Sequence, residues 1–329
     1  MDCTTVEVRL LWSGLRWSKS SATLEIYYFF CFLLENVLVN HQIANFAPIQ
    51  LKPKFSTKIK QAIMGDLLRR VLYKILPLET YLSVLSKMYF ISFNRGWLKK
   101  NRVYDYPYFL QKIIERGDVC IDIGANLGYL SVVFAKLVGK NGKVYSVEPI
   151  KPVLSVLRKN TAQFSQVEIM PYALGTETKS IKLGNNTLDK KGFMASGSHF
   201  VLDKDEVAGI EFEAEMRQGS ELFADLKKLH FIKCDIEGFE TVVIPEIKPV
   251  ILKFQPLVLV ESNGEDRKQM LEFFEDMNYK GYVVNDELLY PAKLDEKWDI
   301  LFIPAKKMDM MRRYAGEPFA KPHHKSFLG

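Results

Sequence analysis

At 329 residues the chain is long enough for one large domain or two small ones with a substantial core. With 48% hydrophobic and 26% charged residues it is neither disordered nor fibrous, and a net charge of +6 describes a mildly basic surface rather than a nucleic-acid-binding composition. Its cysteines, Cys3, Cys31, Cys120 and Cys234, form no C-x-x-C pair, which excludes a zinc ribbon or dithiol redox motif. Cys120 and Cys234 lie in apolar runs and read as small buried hydrophobes.

Residues 1–57 follow no clean periodicity and read as an N-terminal extension of unassigned role. The apolar run Ile26–Leu34 is flanked by Glu25 and Glu35 and is too short for the ~18 residues of a membrane span. Peripheral contact with a membrane is left open. Over 58–104 the spacing of Ile59, Ile63, Leu67, Val71 and Ile75, followed by a second apolar stretch from Glu79 to Phe93, predicts a helical cap.

From 105 to 304 strands and helices alternate, which predicts a parallel sheet covered on both faces. Val119–Ile123 is the first strand and Leu130–Val138 its helix. Lys143–Val147 is the second strand, Pro152–Thr161 a helix opened by proline, and Val167–Ala173 the third strand. Gly175–Gly219 breaks the rhythm with short alternating runs, the pattern of an antiparallel insertion where substrate is chosen. Glu221–Leu229 is expected as a helix, His230–Cys234 and Leu257–Val260 as strands, Asp266–Met277 as a helix, and Tyr279–Val284 with Trp298–Ile303 as a closing pair. Residues 305–329 form a basic tail, expected to be mobile.

Ligands of open parallel sheets sit at the carboxyl ends of the strands, and here those ends carry Asp122, Glu148, Asp235 and Glu261. After Asp122 comes Gly124-Ala125-Asn126-Leu127-Gly128, a tight turn into a helix. The string lacks the third glycine of a dinucleotide fingerprint, and an acid two residues before the first glycine disfavours a pyrophosphate. A cationic, hydroxyl-bearing ligand, S-adenosylmethionine, fits better. Glu148 stands where a carboxylate can take ribose hydroxyls. In Lys233-Cys234-Asp235-Ile236-Glu237, period-two alternation places Lys233, Asp235 and Glu237 on one side. That group can position a hydroxyl, act as a base, or hold a divalent cation.

The strings DIGANLGYLS (122–131), VEP (147–149), ALG (173–175), FIKCDIEGFE (231–240) and PLVLVE (256–261) together resemble the FkbM family of S-adenosylmethionine-dependent methyltransferases. The resemblance covers about residues 105–304. It implies an α/β, Rossmann-like class I methyltransferase sheet of seven strands in the order 3-2-1-4-5-7-6, the last antiparallel. It also implies methyl transfer to a hydroxyl oxygen of a sugar or other small molecule. By this resemblance Asp122, Gly124, Asn126 and Gly128 line the methionine end of the cofactor, Glu148 binds ribose and Ala173 lies near adenine. Asp235, Glu237 and Lys233 are the catalytic candidates, with Asp235 and Glu261 as metal ligands if a divalent cation takes part.

Base-modifying amino methyltransferases carry an Asn/Asp-Pro-Pro-aromatic string where this chain has Asp235-Ile236-Glu237-Gly238, so a nucleic acid acceptor is not expected. The competing readings are a nicotinamide-dependent sugar oxidoreductase and a non-catalytic cofactor-binding scaffold. A cytoplasmic location follows, with membrane association left open; the sequence assigns no oligomeric state.

Overall fold

The computed structural model describes residues 69–185, 199–202, 208–262 and 264–316. The proposed extension 1–57, most of the tail beyond residue 316 and the apolar run Ile26–Leu34 lie outside them. A helical segment over 69–75 leads into α1 (Leu78–Asn94), and α2 (Asp105–Ile113) precedes the first strand, β1 (Val119–Ile123). Then follow α3 (Tyr129–Val138), β2 (Lys143–Val147), α4 (Lys151–Thr161), β3 (Val167–Met170) and β4 (Tyr172–Leu174). The insertion supplies β5 (Lys179–Asn185), β6 (His199–Val201) and β7 (Ile210–Arg217). The remainder is α5 (Gly219–Leu222), β8 (Phe231–Cys234), α6 (Glu240–Glu246), α7 (Lys248–Phe254), β9 (Leu257–Val260), α8 (Gly264–Asp276), β10 (Tyr279–Asn285), β11 (Leu288–Pro291), β12 (Ile300–Pro304) and α9 (Met308–Met311).

The main sheet has eight strands in the order β11-β10-β12-β9-β8-β1-β2-β3. β3, β2, β1, β8 and β9 are parallel, and β12 runs antiparallel between β9 and β10. This is the expected order, with one edge strand added: β11 forms a hairpin with β10 through left-handed Asp286 and Glu287.

Both faces of the sheet are covered, so its central strands are buried throughout. Ile121, Ile123, Ile232, Cys234, Val258 and Val260 join Phe223, Val243, Ile251 and Phe274 on one face. Cys120, Phe231, Leu257 and Leu259 meet Phe109, Phe134 and Val138 on the other. Period-two alternation therefore aims Asp122, two residues after Cys120, toward α3.

Several boundaries differ from the sequence reading. The third strand is broken at Pro171, which has no N–H to donate. β3 stays in the main sheet, while β4 pairs in parallel with β7 of a second sheet, ordered β4-β7-β5-β6. The helix expected over Glu221–Leu229 stops at Leu222. Beyond it, Lys253 Nζ takes the Ala224 and Leu226 carbonyls at 3.0 and 3.4 Å. The start of the tail is docked rather than mobile: Met311 is fully buried, Ala315 bridges to Leu289, and Tyr314 donates to the Lys112 carbonyl at 2.8 Å.

Candidate active site

The carboxyl ends of β1, β2 and β8 open into a cavity of about 480 Å³. Asp122, Gly124, Asn126 and Glu148 line it from the main sheet and Lys233, Asp235 and Glu237 from the β8 end; Ala173 of β4 lines it as well. Gly128 stands just behind, as the N-cap of α3.

Asp122 is 1% exposed. Its Oδ2 accepts from Ser131 Oγ at 2.6 Å, and Ser131 in turn accepts from Ser146 Oγ at 2.8 Å. Its Oδ1 is buried without a hydrogen bond, 3.7 Å from Lys233 Nζ. Burial raises the Asp122 pKa, opposed by the Lys233 charge and the Ser131 hydroxyl. Asp122 lines the cavity with its carboxylate held between Ser131 and Lys233, which puts a buried negative charge at the wall and favours a cationic group beside it.

The glycine turn is shaped by packing inside the protein. A Cβ on Gly124, at φ +72°, would stand 1.9 Å from the Asp235 carbonyl oxygen, and one on Gly128, at φ +85°, 2.7 Å from Leu157. Asn126 is also left-handed, at φ 52°, and its Oδ1 accepts from Leu127 N at 2.7 Å. Asn160 Nδ2 clamps the turn from outside by donating to the Leu127 carbonyl at 2.7 Å. Both glycines therefore make room for neighbouring chain, the Asp235 carbonyl at Gly124 and the Leu157 side chain at Gly128.

Glu148 is buried, its Oε2 accepting from Asn126 N at 3.0 Å and its Oε1 from Ile150 N at 2.8 Å. It thus ties the turn to the start of α4 while keeping further lone pairs for ligand hydroxyls. Burial lifts its carboxyl to about 7 against the pull of the two amides.

β8 ends at Cys234, and the alternation read through Glu237 ends with it. Glu237 is left-handed at φ 59° and exposed, and Gly238 follows at φ 103°. The loop is held by Glu240, 3% exposed, whose oxygens accept from Ile236 N at 2.6 Å and Gly238 N at 2.9 Å.

Lys233 is buried and points inward. Its Nζ donates to the Gly124 carbonyl at 2.8 Å and lies 3.2 Å from Asp235 Oδ2. Burial would lower its pKa, but Asp235 and Asp122 outweigh burial and raise it. The same pairing holds Asp235 below the usual carboxylate range in spite of burial. Glu261 behaves oppositely: burial first, then the facing Asp235, push it up to about 9. Of this pair, Asp235 is the ionised member and Glu261 the protonated one.

Two carboxylates escaped the sequence reading. Glu240 joins Asp235 and Glu261, their oxygens within 4.8 Å of one another. Asp299 precedes β12, whose Ile300 pairs with Val260, so it stands beside Glu261; burial and Asp235 raise it to about 7. Glu237, although its side chain reaches solvent, is raised to about 7 by partial desolvation within the loop, with the Asp235 and Glu240 charges adding to it. Also unforeseen are Tyr129, Leu183, Val201 and Met216, the last three reaching the cavity from the second sheet. His230 stands at the start of β8, its Nδ1 accepting from Val119 N at 2.9 Å.

A pH dependence of stability follows. Glu261, Glu237 and Glu148 keep protons in the fold that the unfolded chain releases near 4.5. Between those values the native state binds more protons, so stability falls as pH rises. The thermal midpoint of the cofactor-free protein is expected to drop from about pH 5 to pH 9. Glu261→Gln should flatten the upper part of that slope; a midpoint that climbs with pH would contradict the assignment.

An acid–glycine turn after the first strand, a carboxylate after the second, and this sheet order define a class I S-adenosylmethionine-dependent methyltransferase fold. The methyltransferase FkbM domain model matches residues 122–280, and the chain carries an S-adenosylmethionine-dependent methyltransferase domain of the FkbM family. A probable cobalt-precorrin-6B C(15)-methyltransferase (decarboxylating) of Saccharolobus solfataricus is 24% identical over 141 residues, 42% of this chain and 68% of that protein. A protein-L-isoaspartate O-methyltransferase of Methanococcoides burtonii is 41% identical over 63 residues, 18% of this chain and 30% of that protein. Among solved structures, a methyltransferase FkbM from Methylobacillus flagellatus KT is 14% identical, with a TM-score of 0.42 over 82% of this chain and 69% of that one.

Proposed function

We propose that this domain methylates a hydroxyl oxygen of a sugar or other small molecule. The observation that carries the reading is the placement of Asp235. Its ionised, partly exposed carboxylate stands on the same cavity as the Asp122 and Glu148 corner.

The residues present fit S-adenosylmethionine: the Asp122 carboxylate would favour the charged methionine end, Glu148 has lone pairs left for the ribose hydroxyls, and Ala173, also on the cavity wall, would pack against the adenine. The cofactor supplies an electrophilic methyl group. The chain's own residues must then orient an alcohol and take its proton. Asp235 accepts that proton, an assistance typically worth about 10²–10⁴-fold. Lys233 fixes Asp235 and joins it to the glycine turn through the Gly124 carbonyl. Glu237, exposed at the rim, is placed to receive other hydroxyls of the acceptor.

The carboxylate cluster also invites a divalent cation, but its oxygens are largely engaged. Glu240 uses both on backbone amides, and Asp235 is already neutralised by Lys233. We therefore expect turnover to persist in a chelator. The test is mass spectrometry of hydroxyl-bearing glycans incubated with the protein and methyl-deuterated S-adenosylmethionine, with and without chelator. A labelled methyl ether supports the reading. Label on nitrogen or carbon only, or activity abolished by chelation and restored by a divalent cation, counts against it.

A further inference from the structure

The end of α1 and the turn after it form a basic and aromatic surface beside the cavity. Between Glu79 and Asp105 the sequence has no acidic residue, but has Lys87, Arg95, Lys99, Lys100 and Arg102. Arg95, Lys99 and Lys100 are exposed, and so is Lys136 of α3, which reaches Asn94 Oδ1 at 3.5 Å. Among the described residues none of these four cations has an ion-pair partner, whereas Lys112, Lys143, Lys179, Lys182 and Lys280 all do.

Apolar groups interleave with the charges. Val103 is 62% exposed, and Trp97 is partly exposed with the Arg95 guanidinium 4.9 Å from its ring. Lys99 lies 5.3 Å from the Tyr108 ring. Ring contacts brace the turn from behind: Arg102 packs over Trp298 at 4.3 Å, and Tyr104 meets Tyr89 at 6.0 Å.

We propose that residues 94–103, with Lys136, are a docking surface for an anionic lipid bilayer. Unpaired lysine and arginine are drawn to negative headgroups, while an aromatic ring and an exposed aliphatic side chain between them gain by entering the interface. A nucleic acid would reward the cations but not Val103. The surface also has a defined relation to the cavity. Tyr89 lies 4.1 Å from Tyr129, a cavity wall, and Trp298 directly precedes Asp299. A bilayer held by this turn therefore meets the protein on the side of the aromatic wall. The docking stands on this geometry alone and is independent of the methyl acceptor.

The test is co-sedimentation of the full chain with vesicles of phosphatidylcholine containing roughly 30 mol per cent phosphatidylserine, and with pure phosphatidylcholine. Binding is expected to the anionic vesicles only, and to weaken with added salt. Lys99→Gln with Lys100→Gln should lower the partition coefficient by about 25-fold, roughly fivefold per cation, with an unchanged thermal midpoint. Arg95→Gln alone should lower it about fivefold. The control pair Lys179→Gln with Lys182→Gln on the second sheet should bind like the unaltered chain.

No binding to either vesicle, equal binding to both, or undiminished binding by the turn variants would overturn the proposal. So would retention of a single-stranded RNA through the same lysines without binding to vesicles.

Discussion

Gly124→Ala is expected to lose cofactor binding and about 3 kcal/mol or more of stability, combining an overpacking cost of ~1–3 kcal/mol with ~1–2 kcal/mol for a left-handed side-chain-bearing residue. The new Cβ would sit 1.9 Å from the Asp235 carbonyl oxygen, a backbone atom that no side-chain rotation can remove. The turn and the β8 loop must separate, pulling Lys233 from the Gly124 carbonyl and the base from the glycine turn at once. Gly117→Ala is the matched control. Its φ of +88° carries the same backbone strain, but nothing lies within 4 Å of its Cβ. That variant should lose only ~1–2 kcal/mol and bind S-adenosylmethionine normally. Chemical denaturation and calorimetry separate the two. Equal losses in both variants would mean that strain, not the Asp235 contact, sets the requirement for glycine.

Asp235→Asn is expected to lower kcat by about 10²–10⁴-fold with little change in the cofactor's Kd. The amide keeps the shape and one acceptor for Lys233 but cannot take a proton. Glu261→Gln should be mild, since a glutamine preserves the hydrogen-bond donor that protonated Glu261 presents to Asp235. The contrast is the informative quantity. If Glu261→Gln is as inactive as Asp235→Asn, the proton goes to the pair rather than to Asp235. If neither loses turnover, Asp235 is not the base.

Most of the main sheet was legible because buried parallel strands are short apolar runs with helices between them, as in Val119–Ile123 and Leu257–Val260. The rule that sites lie at carboxyl ends of strands picked out Asp122, Glu148, Asp235 and Glu261, and all four stand at that edge of the sheet. The same rule hid Asp299. It precedes the one antiparallel strand inside the run, so its amino end points where its neighbours' carboxyl ends do. The family resemblance already implied that direction, but the expected strand Trp298–Ile303 absorbed Asp299 as an interior residue, whereas β12 starts only at Ile300. Glu240 was hidden for another reason: it reads as a helix-opening acid, and only the folded loop shows it holding the Ile236 and Gly238 amides. Glu237 does line the cavity with Lys233 and Asp235, but it gets there through a left-handed turn at Glu237 and Gly238 rather than by strand alternation carried past Cys234.

The second sheet has a consequence for how this architecture can change. Among the described residues β5 and β7 pair with no strand of the eight-stranded sheet, yet Leu183, Val201 and Met216 form part of the cavity's wall. Mutations there reshape one partition of the chamber while the ladder that anchors Asp122 and Asp235 stays intact. Diversification of molecular taste and preservation of reactive machinery are thereby assigned to separate scaffolding, and exchanging the 179–217 segment between relatives becomes a rational way to retarget the domain.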